Sequence, residues 1–443
     1  MNWKESKKGV WQLYTGNALD EENKIIAKGE GIYLWDVQGK KYIDALSGLG
    51  VVNIGHCNQQ VVAAIKEQSE QLEYISPFMG FSHPSVLKLV DLLSPLIPIK
   101  NPKFYFVNSG SEAVERAIMI AKQYHIRRNM PNKQMIIGLE GSFHGSTLAC
   151  FSVGGLPNLS HFYGPLLPGT IKADCPNCYR CEFQKESCNY YCIQKLKKLI
   201  QYYRSENIAA FIMEPIMNAK GIVVPPTGYV KKAYELCREN DILFICDEIV
   251  TGFGRTGSMF VAQEAGIQPD IITVAKGLSS GYIPISAAII SEQIADEFTK
   301  RSSIQNVYGS TFGGHPIACA AAYANVKVIL EDNLVENANE IGQYIEEKFK
   351  SLYQFNFVGD IRGRGLMWGI ELVKDKKSKE RYPLSMKLSQ RMESGLYEKG
   401  LLCRVAADVI RLCPPLISSK EDIDNIYTIL YDFFSNLDLN NNL

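Results

Sequence analysis

The sequence predicts an α/β fold in which a mostly parallel sheet carries the functional residues. Apolar runs rich in β-branched residues recur along the chain, as at Ile242–Cys246 and Ile271–Ala275, and runs of this length are typical of buried parallel strands. Segments with helical spacing lie between such runs, which indicates strands joined by crossover helices. Polar residues that follow parallel strands face the ligand crevice. The fold class therefore places the site at the carboxyl edge of the sheet.

Two of these strands lead directly into charged residues, Asp247 and Lys276. A lysine whose pKa is lowered by its surroundings attacks carbonyls, and pyridoxal phosphate is held by such a lysine as a Schiff base. A buried carboxylate keeps the pyridine nitrogen of that cofactor protonated. Taken alone, Asp247 as a helix cap and Lys276 as a solvated surface lysine are the commoner roles. Their shared position after apolar strands favours a pyridoxal phosphate site.

A longer motif surrounds this pair. The residues from Asp247 to Gly257, then Pro269-Asp270, then Ala275-Lys276-Gly277, resemble the signature of the class III (omega-type) aminotransferases, which are pyridoxal phosphate enzymes of fold type I. The resemblance implies a large domain with a mostly parallel seven-stranded sheet flanked by helices, and a smaller α/β domain formed by both termini. The expected boundaries are 1–55 for the amino-terminal segment of the small domain, 56–324 for the large cofactor-binding domain with a cysteine-rich insertion at about 174–193, and 325–443 for the rest of the small domain.

Composition excludes some classes of partner. The chain has 443 residues, 47 basic and 47 acidic, so a large core is expected and neither nucleic acid nor a membrane surface is the expected partner. The amino end has no apolar signal core, and no apolar run approaches the roughly 20 residues of a membrane span. We expect a cytoplasmic protein.

A strand-to-helix turn at Asn108–Ala113 predicts an anion site. Free N–H groups and the dipole of the helix that follows attract a phosphate, and serine hydroxyls add donors. On residue type alone, a helix cap is the commoner role for Ser109 or Ser111 in this setting. By resemblance, Ser109, Gly110 and Ser111 form the loop that binds the cofactor phosphate.

Another loop, Gly141–Thr147, supplies an aromatic residue. A ring in this place stacks on a pyridine or fills the core. The resemblance assigns Phe143 to stacking and places His144 beside the cofactor. Relatives that act on 4-aminobutyrate or ornithine often carry an arginine where this chain has Ser146, which argues against a second carboxylate clamp there.

The resemblance also assigns a switchable ion pair. Glu214 follows the apolar run at Ala210–Met213 and matches a glutamate near the cofactor, and Arg411 matches a mobile arginine that binds substrate carboxylates. An arginine suits bidentate carboxylate binding. On residue type alone, either side chain fits an ordinary surface ion pair equally well.

Three further roles follow from the resemblance alone. Ile249 packs on the face of the ring opposite Phe143. Leu49, within Gly48–Asn53, lines the substrate entrance, although the glycines there also fit a simple turn. Thr311 reaches the cofactor phosphate of a neighbouring subunit, which implies a homodimer with shared active sites and leaves a tetramer open.

Five of the twelve cysteines are closely spaced. Four thiolates suit tetrahedral zinc or an iron–sulfur cluster, whereas free thiols or a redox-labile pair give the same spacing. The expected ligands are Cys178, Cys181, Cys188 and Cys192, with Cys175 as the alternative.

The combined reading is a transaminase that moves an amino group from an amine or omega-amino acid to a keto acid such as pyruvate or 2-oxoglutarate. Lys276 holds the cofactor and then acts as general base and acid. Two alternatives stay open on sequence grounds. One is an aminomutase, decarboxylase or racemase of the same fold, and the other is a metal-binding or redox-sensing protein on this scaffold.

Overall fold

The structure is a computed structural model. It describes residue 6 and the ranges 9–10, 25–156, 161–182, 188–299 and 309–437. Residues 1–5 and 7–8, in which no signal sequence is predicted, lie outside these ranges. In the described part of the chain, no helix is both long enough and apolar enough to cross a membrane.

The described chain alternates strands and helices over most of its length. The strands are β1 (Ile26–Glu30), β2 (Tyr33–Asp36), β3 (Lys41–Asp44), β4 (Lys103–Val107), β5 (Met135–Leu139), β6 (Thr170–Ala173), β7 (Ile208–Met213), β8 (Leu243–Asp247), β9 (Ile271–Val274), β10 (Ser286–Ile290), β11 (Val358–Arg364), β12 (Met367–Leu372), β13 (Leu401–Leu402), β14 (Arg404–Ala406) and β15 (Val409–Leu412). The helices are α1 (Gln59–Gln71), α2 (Pro84–Leu93), α3 (Gly110–Arg127), α4 (Leu148–Val153), α5 (Tyr191–Tyr203), α6 (Tyr229–Glu239), α7 (Val261–Glu264), α8 (Glu292–Thr299), α9 (Pro316–Glu331), α10 (Leu334–Phe349), α11 (Leu388–Glu398) and α12 (Lys420–Ser435). Short 3-10 turns lie at Pro77–Met79, Ser205–Asn207, Lys276–Leu278, Lys350–Gln354 and Leu384–Met386, and one interrupted helical turn spans Ser47–Gly50.

The central sheet has seven strands in the order β4-β10-β9-β8-β7-β5-β6. The neighbouring pairs from β9 to β6 are all parallel, whereas β10 runs antiparallel to both β4 and β9. Every residue of β7, β8 and β9 is buried, as expected for apolar strands covered on both faces. The predicted α/β class and the mostly parallel seven-stranded sheet are confirmed.

Two smaller sheets are built from the ends of the chain. The amino-terminal sheet has the order β1-β2-β3-β13, so a late strand completes an early meander. The C-terminal sheet has the order β11-β12-β15-β14 and is antiparallel throughout. The proposed division at residues 55 and 324 stays a prediction.

A pair of glycines packs α10 against the turn between β11 and β12. A Cβ atom on Gly342 would lie 2.7 Å from both Cα and O of Gly365. Gly365 itself has φ +53, and its backbone lies against the backbone of Thr256 and Gly257. The contact with Thr256 and Gly257 therefore limits how far the turn can move away from α10.

We predict that Gly342→Ala destabilises the protein by about 1–3 kcal/mol, because the added methyl overpacks this contact. A loss of stability would be informative, because replacing glycine by alanine within a helix normally stabilises a protein by about 1 kcal/mol. Thermal unfolding would show a lower midpoint than wild type. The control is Glu340→Ala, an exposed position of the same helix, and a midpoint for Gly342→Ala at or above that of the control would contradict the prediction.

Candidate active site

The predicted site residues follow the carboxyl ends of five strands of the central sheet. In chain order these are Ser109–Ser111 after β4, Phe143 and His144 after β5, Glu214 after β7, Asp247 at the end of β8, and Lys276 after β9. Because β5, β7, β8 and β9 run parallel, their carboxyl ends meet at one edge of the sheet. The side chains that the sequence separates widely therefore face one cavity.

That cavity has a volume of about 770 Å³. The predicted residues that line it are Leu49, Gly110, Ser111, Phe143, His144, Glu214, Asp247, Ile249, Lys276 and Arg411. Ser109 and Thr311 are exposed and are not part of its lining. The volume suits a cofactor-sized ligand with a small substrate.

Asp247 is a buried carboxylate with well-defined partners. Its Oδ1 accepts hydrogen bonds from the hydroxyl of Thr273 at 3.0 Å and from the backbone N–H of Ile249 at 3.2 Å. Its Oδ2 lies 2.6 Å from Nδ1 of His144, and the His144 side chain is fully buried. Hydrogen bonds to both oxygens hold the carboxylate in one orientation. The structure therefore presents a carboxylate of fixed orientation in the cavity wall.

Lys276 lies on the neighbouring strand connection, immediately beyond β9. Burial lowers the pKa of its amine, although Glu214 and Asp247 act in the opposite direction. The Nζ atom donates to the backbone carbonyl of Leu49 at 3.1 Å. The backbone of Lys276 has φ +41, a conformation that is unfavourable for a residue with a side chain. The amide of Asn325 donates to the carbonyls of Gly277 and Leu278 at 2.7 and 2.9 Å and so holds this turn.

The two serines at the start of α3 have different roles. Ser109 is the helix cap, because its Oγ accepts from the N–H of Glu112 at 3.2 Å. Ser111 lines the cavity, and its Oγ accepts from the N–H of Ser146 at 3.0 Å. The helix start thus turns its N–H groups and one hydroxyl toward the cavity, which is an arrangement suited to an anion.

Two glycines allow the residues of the cavity wall to pack closely at this end. A Cβ atom on Gly110 would lie 2.9 Å from Cδ1 of Ile249, and one on Gly145 would collide with Oγ of Ser111. Together with a buried carboxylate and an amine, this cradle provides groups for each end of pyridoxal phosphate. The residues present fit that cofactor.

Glu214 connects the aromatic loop to the arginine. Its Oε1 accepts from the N–H of Phe143 at 2.9 Å and its Oε2 from the N–H of Asn218 at 3.1 Å. Arg411 donates through NH1 to the carbonyl of Asn218 at 3.4 Å. Glu214 and Arg411 are therefore linked through one intervening residue. Burial raises the pKa of Glu214 to about 7.

Sequence reasoning missed several charged residues of the cavity wall. Arg404 lies opposite Arg411 in the β14–β15 pair, and its NH1 forms an ion pair with Glu393 at 2.8 Å. Asp44 accepts from Nε2 of His56 at 2.9 Å and from the N–H of Gly48 at 2.8 Å. All three missed residues, Asp44, Glu393 and Arg404, line the cavity. Only the spacing of Arg404 and Arg411 across a hairpin would have indicated a shared face.

The structure does not support the predicted metal site. Among the described residues, which include Cys175, Cys178, Cys181, Cys188 and Cys192, no group of three or more potential ligands is arranged to hold a metal ion. Without a bound ion, burial raises the pKa of Cys175 to about 12 and that of Cys192 to about 11. The Cys175 sulfur lies 3.6 Å from the sulfur of Met217 instead. All twelve cysteines of the chain are free.

The comparisons with known proteins all point to the same protein family. The sequence matches the family described as aminotransferase class-III over residues 17–434. It is 33% identical to an adenosylmethionine-8-amino-7-oxononanoate aminotransferase of Methanocaldococcus jannaschii, with 98% of each chain covered. It is 34% identical to a putrescine–pyruvate aminotransferase of Pseudomonas aeruginosa, over 92% of this chain and 89% of the relative.

Solved structures agree with the sequence relatives. An (S)-enantioselective omega-transaminase from Thermomicrobium roseum superposes with a TM-score of 0.94 at 35% identity, with 98% of each chain covered. An amine transaminase from an uncultivated Pseudomonas species, solved in its PLP-bound form, gives a TM-score of 0.93 at 33% identity and covers 96% of this chain and 98% of its own.

We predict that Glu214 makes the apoprotein less stable as the pH rises from about 4.5 to about 7. Its pKa in the folded state is about 7, so over this range the folded protein holds a proton that the unfolded chain has lost. One such group contributes a fall of about 1.4 kcal/mol in unfolding free energy per pH unit. Glu214→Gln should therefore flatten the pH dependence of denaturant unfolding, whereas the exposed Glu239→Gln should not. Equal slopes in wild type and Glu214→Gln would contradict the prediction.

Proposed function

Because this chain belongs to the class-III aminotransferases, we propose that it moves an amino group from an amine or omega-amino acid to a keto acid such as pyruvate or 2-oxoglutarate. The observation that carries this function is the placement of Lys276 and Asp247 in one cavity, at the ends of neighbouring parallel strands. The match to this family supports the assignment of the pair to cofactor binding.

Pyridoxal phosphate, when bound, supplies an aldehyde that condenses with amines and a ring that draws electrons from the substrate carbon. The residues proposed to hold it are Lys276, Asp247, Phe143, His144, Ile249, Glu214 and the helix start at Ser109, Gly110 and Ser111. The phosphate would lie at the start of α3, where Ser111 faces the cavity. Asp247, fixed by Thr273 and His144, would keep the ring nitrogen protonated.

Lys276 is proposed to move the proton of the reaction. Burial lowers the pKa of its amine, so Nζ gives up a proton more readily than an ordinary lysine and serves as a general base. The bond from Nζ to the carbonyl of Leu49 orients the amine within the cavity. Nζ then returns the proton as a general acid.

Arg411 is proposed to bind the carboxylate of the keto acid. Its guanidinium faces the cavity and is held by Asn218, and a planar guanidinium binds a carboxylate through two parallel bonds. Glu214 would balance its charge when the substrate has no carboxylate. Its raised pKa makes the protonated form accessible when Arg411 turns to a substrate.

The donor is proposed to be an omega-amine and the preferred acceptor to be pyruvate. Ser146 replaces the arginine of relatives that clamp a distal carboxylate, and Val250 adds apolar surface to the cavity. The similarity to a putrescine–pyruvate aminotransferase supports the same choice.

A homodimer with shared active sites is also proposed, with the tetramer left open. Thr311 is exposed and lies outside the cavity of its own chain, and its carbonyl accepts from the hydroxyl of Tyr74 at 3.0 Å. Apolar side chains near it, Phe78, Phe81 and Phe312, are more than half exposed, which favours burial against a second copy. From there Thr311 would reach the partner's phosphate site.

The proposed architecture keeps the large domain at 56–324 and the small domain at 1–55 and 325–443. The shared sheet of β3 and β13 supports the joining of both chain ends. The proposed compartment is the cytoplasm, where free cysteines such as those of this chain persist.

We predict that protein reconstituted with pyridoxal phosphate has an absorbance band near the visible edge that borohydride abolishes. Mass spectrometry should then locate the reduced cofactor on Lys276, and Lys276→Ala should lack both signals. Lys172→Met is the matched control, because burial also lowers the pKa of Lys172, to about 8, yet this lysine is not part of the cavity lining. Cofactor found on another lysine, or a normal band in Lys276→Ala, would contradict the assignment.

We also predict that sustained conversion of the amine requires an added keto acid, which separates a transaminase from an aminomutase, decarboxylase or racemase. Arg411→Met should raise the KM for pyruvate by about 10-fold to 100-fold, the usual effect of losing a charge-assisted hydrogen bond. Single-turnover reaction with a monoamine that lacks a carboxylate should change much less. The control is Arg238→Met, which removes an ion pair between a half-exposed arginine and the buried Asp270 outside the cavity lining.

Sustained conversion of the amine without any keto acid would contradict the proposed transaminase function. An unchanged KM for pyruvate in Arg411→Met would remove only the role proposed for that arginine.

A further inference from the structure

Residues 174–182 of the cysteine-rich segment, which the structure describes, have no role in the proposed function, yet Arg180 within them is attached to the C-terminal sheet. Arg180 donates through Nε to Oε1 of Glu371 at 2.7 Å, and its NH2 lies 2.6 Å from the same oxygen. A second attachment lies alongside, where Nζ of Lys379 donates to the carbonyl of Tyr179 at 2.7 Å. Arg180 in turn donates to the carbonyl of Lys379. An ion pair and hydrogen bonds therefore attach Tyr179 and Arg180 to the C-terminal part of the chain.

Glu371 shares its charge with a second arginine. Its side chain is only 2% exposed, and its Oε2 lies 2.7 Å from NH1 of Arg362. Arg362 also pairs with Asp360 at 2.6 Å. Two arginines and two carboxylates thus form one balanced, mostly buried network, and a buried charge is costly when one of its partners is removed.

The same network reaches the loop that holds Arg411. Arg362 donates through Nε to the carbonyls of Gly221 and Ile222, both at 3.0 Å. These carbonyls lie shortly after Asn218, whose own carbonyl accepts from Arg411. At the other side of this loop, the sulfur of Cys175 contacts that of Met217. The cysteine-rich segment therefore touches the loop directly and is also connected to it through the network.

The strand register brings the network close to Arg411 itself. Glu371 of β12 pairs with Val409 of β15, and Gly369 pairs with Arg411. The anchoring carboxylate and the arginine are thus on adjacent strands, two positions apart. A shift of β12 would move the strand that carries Arg411.

We propose that Arg180 is a positioning residue for Arg411. By holding Glu371, it fixes the C-terminal sheet and the Asn218 loop in the arrangement in which Arg411 meets the carboxylate of the keto acid. This inference rests on the proposed function, in which Arg411 binds that carboxylate.

The test separates the two halves of the reaction. Arg180→Met should raise the KM for pyruvate by roughly 3-fold to 10-fold, the range expected for a residue that acts through its neighbours. The single-turnover rate with a monoamine without a carboxylate should stay at the wild-type value, which general destabilisation would not allow. The matched control is Lys195→Met, which removes ion pairs with Asp174 and Glu182 inside the same segment and should leave the KM for pyruvate unchanged.

A double-mutant cycle tests the route of the effect. If Arg180 acts through Glu371, then Arg180→Met and Glu371→Gln combined should raise the KM no further than the larger single change. Additive effects would overturn that route.

A second measurement does not depend on catalysis. In the apoprotein, Cys175 should react faster with a maleimide in Arg180→Met than in wild type, because the segment is no longer docked. The inference is overturned if Arg180→Met leaves the KM for pyruvate unchanged while Arg411→Met raises it, whether or not the labelling of Cys175 changes. If Arg411→Met has no effect on the KM either, the role of Arg411 fails and this inference fails with it.

Discussion

The structure depends on bringing two groups together in one cavity at the edge of the central sheet, the buried carboxylate of Asp247 and the half-buried amine of Lys276. Both follow apolar strands in which every residue is buried. Removing such a group from water is costly unless it has hydrogen-bond partners, and each of the two has them. Thr273 and His144 hold the carboxylate, while the carbonyl of Leu49 accepts from the amine. A cofactor with a basic nitrogen and an aldehyde fits between such groups.

The other parts of the chain position this pair and close the cavity around it. The amino-terminal segment supplies the carbonyl that orients the lysine, and α9 holds the lysine turn through Asn325. A fully buried arginine, Arg255, joins the amino-terminal segment to the C-terminal part of the chain by donating to Oδ1 of Asn53 at 2.7 Å and to the carbonyl of Pro414. Segments far apart in sequence thereby meet at one site. Its geometry is consequently a property of the whole fold.

The sequence allowed the pair and the fold to be predicted because both depend on local pattern. A charged residue that follows an apolar run can be recognised from the sequence alone, and this pattern led to Asp247 and Lys276. The ion pair of Arg404 with Glu393 was not predictable, since it depends on how α11 packs beside a hairpin. The attachment of the cysteine-rich segment through Arg180 was not predictable for the same reason, and the predicted metal site at the cysteines stays without support among the described residues. Contacts between distant elements leave no periodic signal.

Asp247 is proposed to keep the ring nitrogen of the cofactor protonated while Lys276 holds its aldehyde. The most direct measurement is 15N NMR of the protein loaded with pyridoxal phosphate labelled at the ring nitrogen. At a pH at which free cofactor has lost that proton, wild type should show a protonated nitrogen, and Asp247→Asn should show the shift of the unprotonated form. An unprotonated nitrogen in wild type, or the same protonated signal in both proteins, would contradict the account.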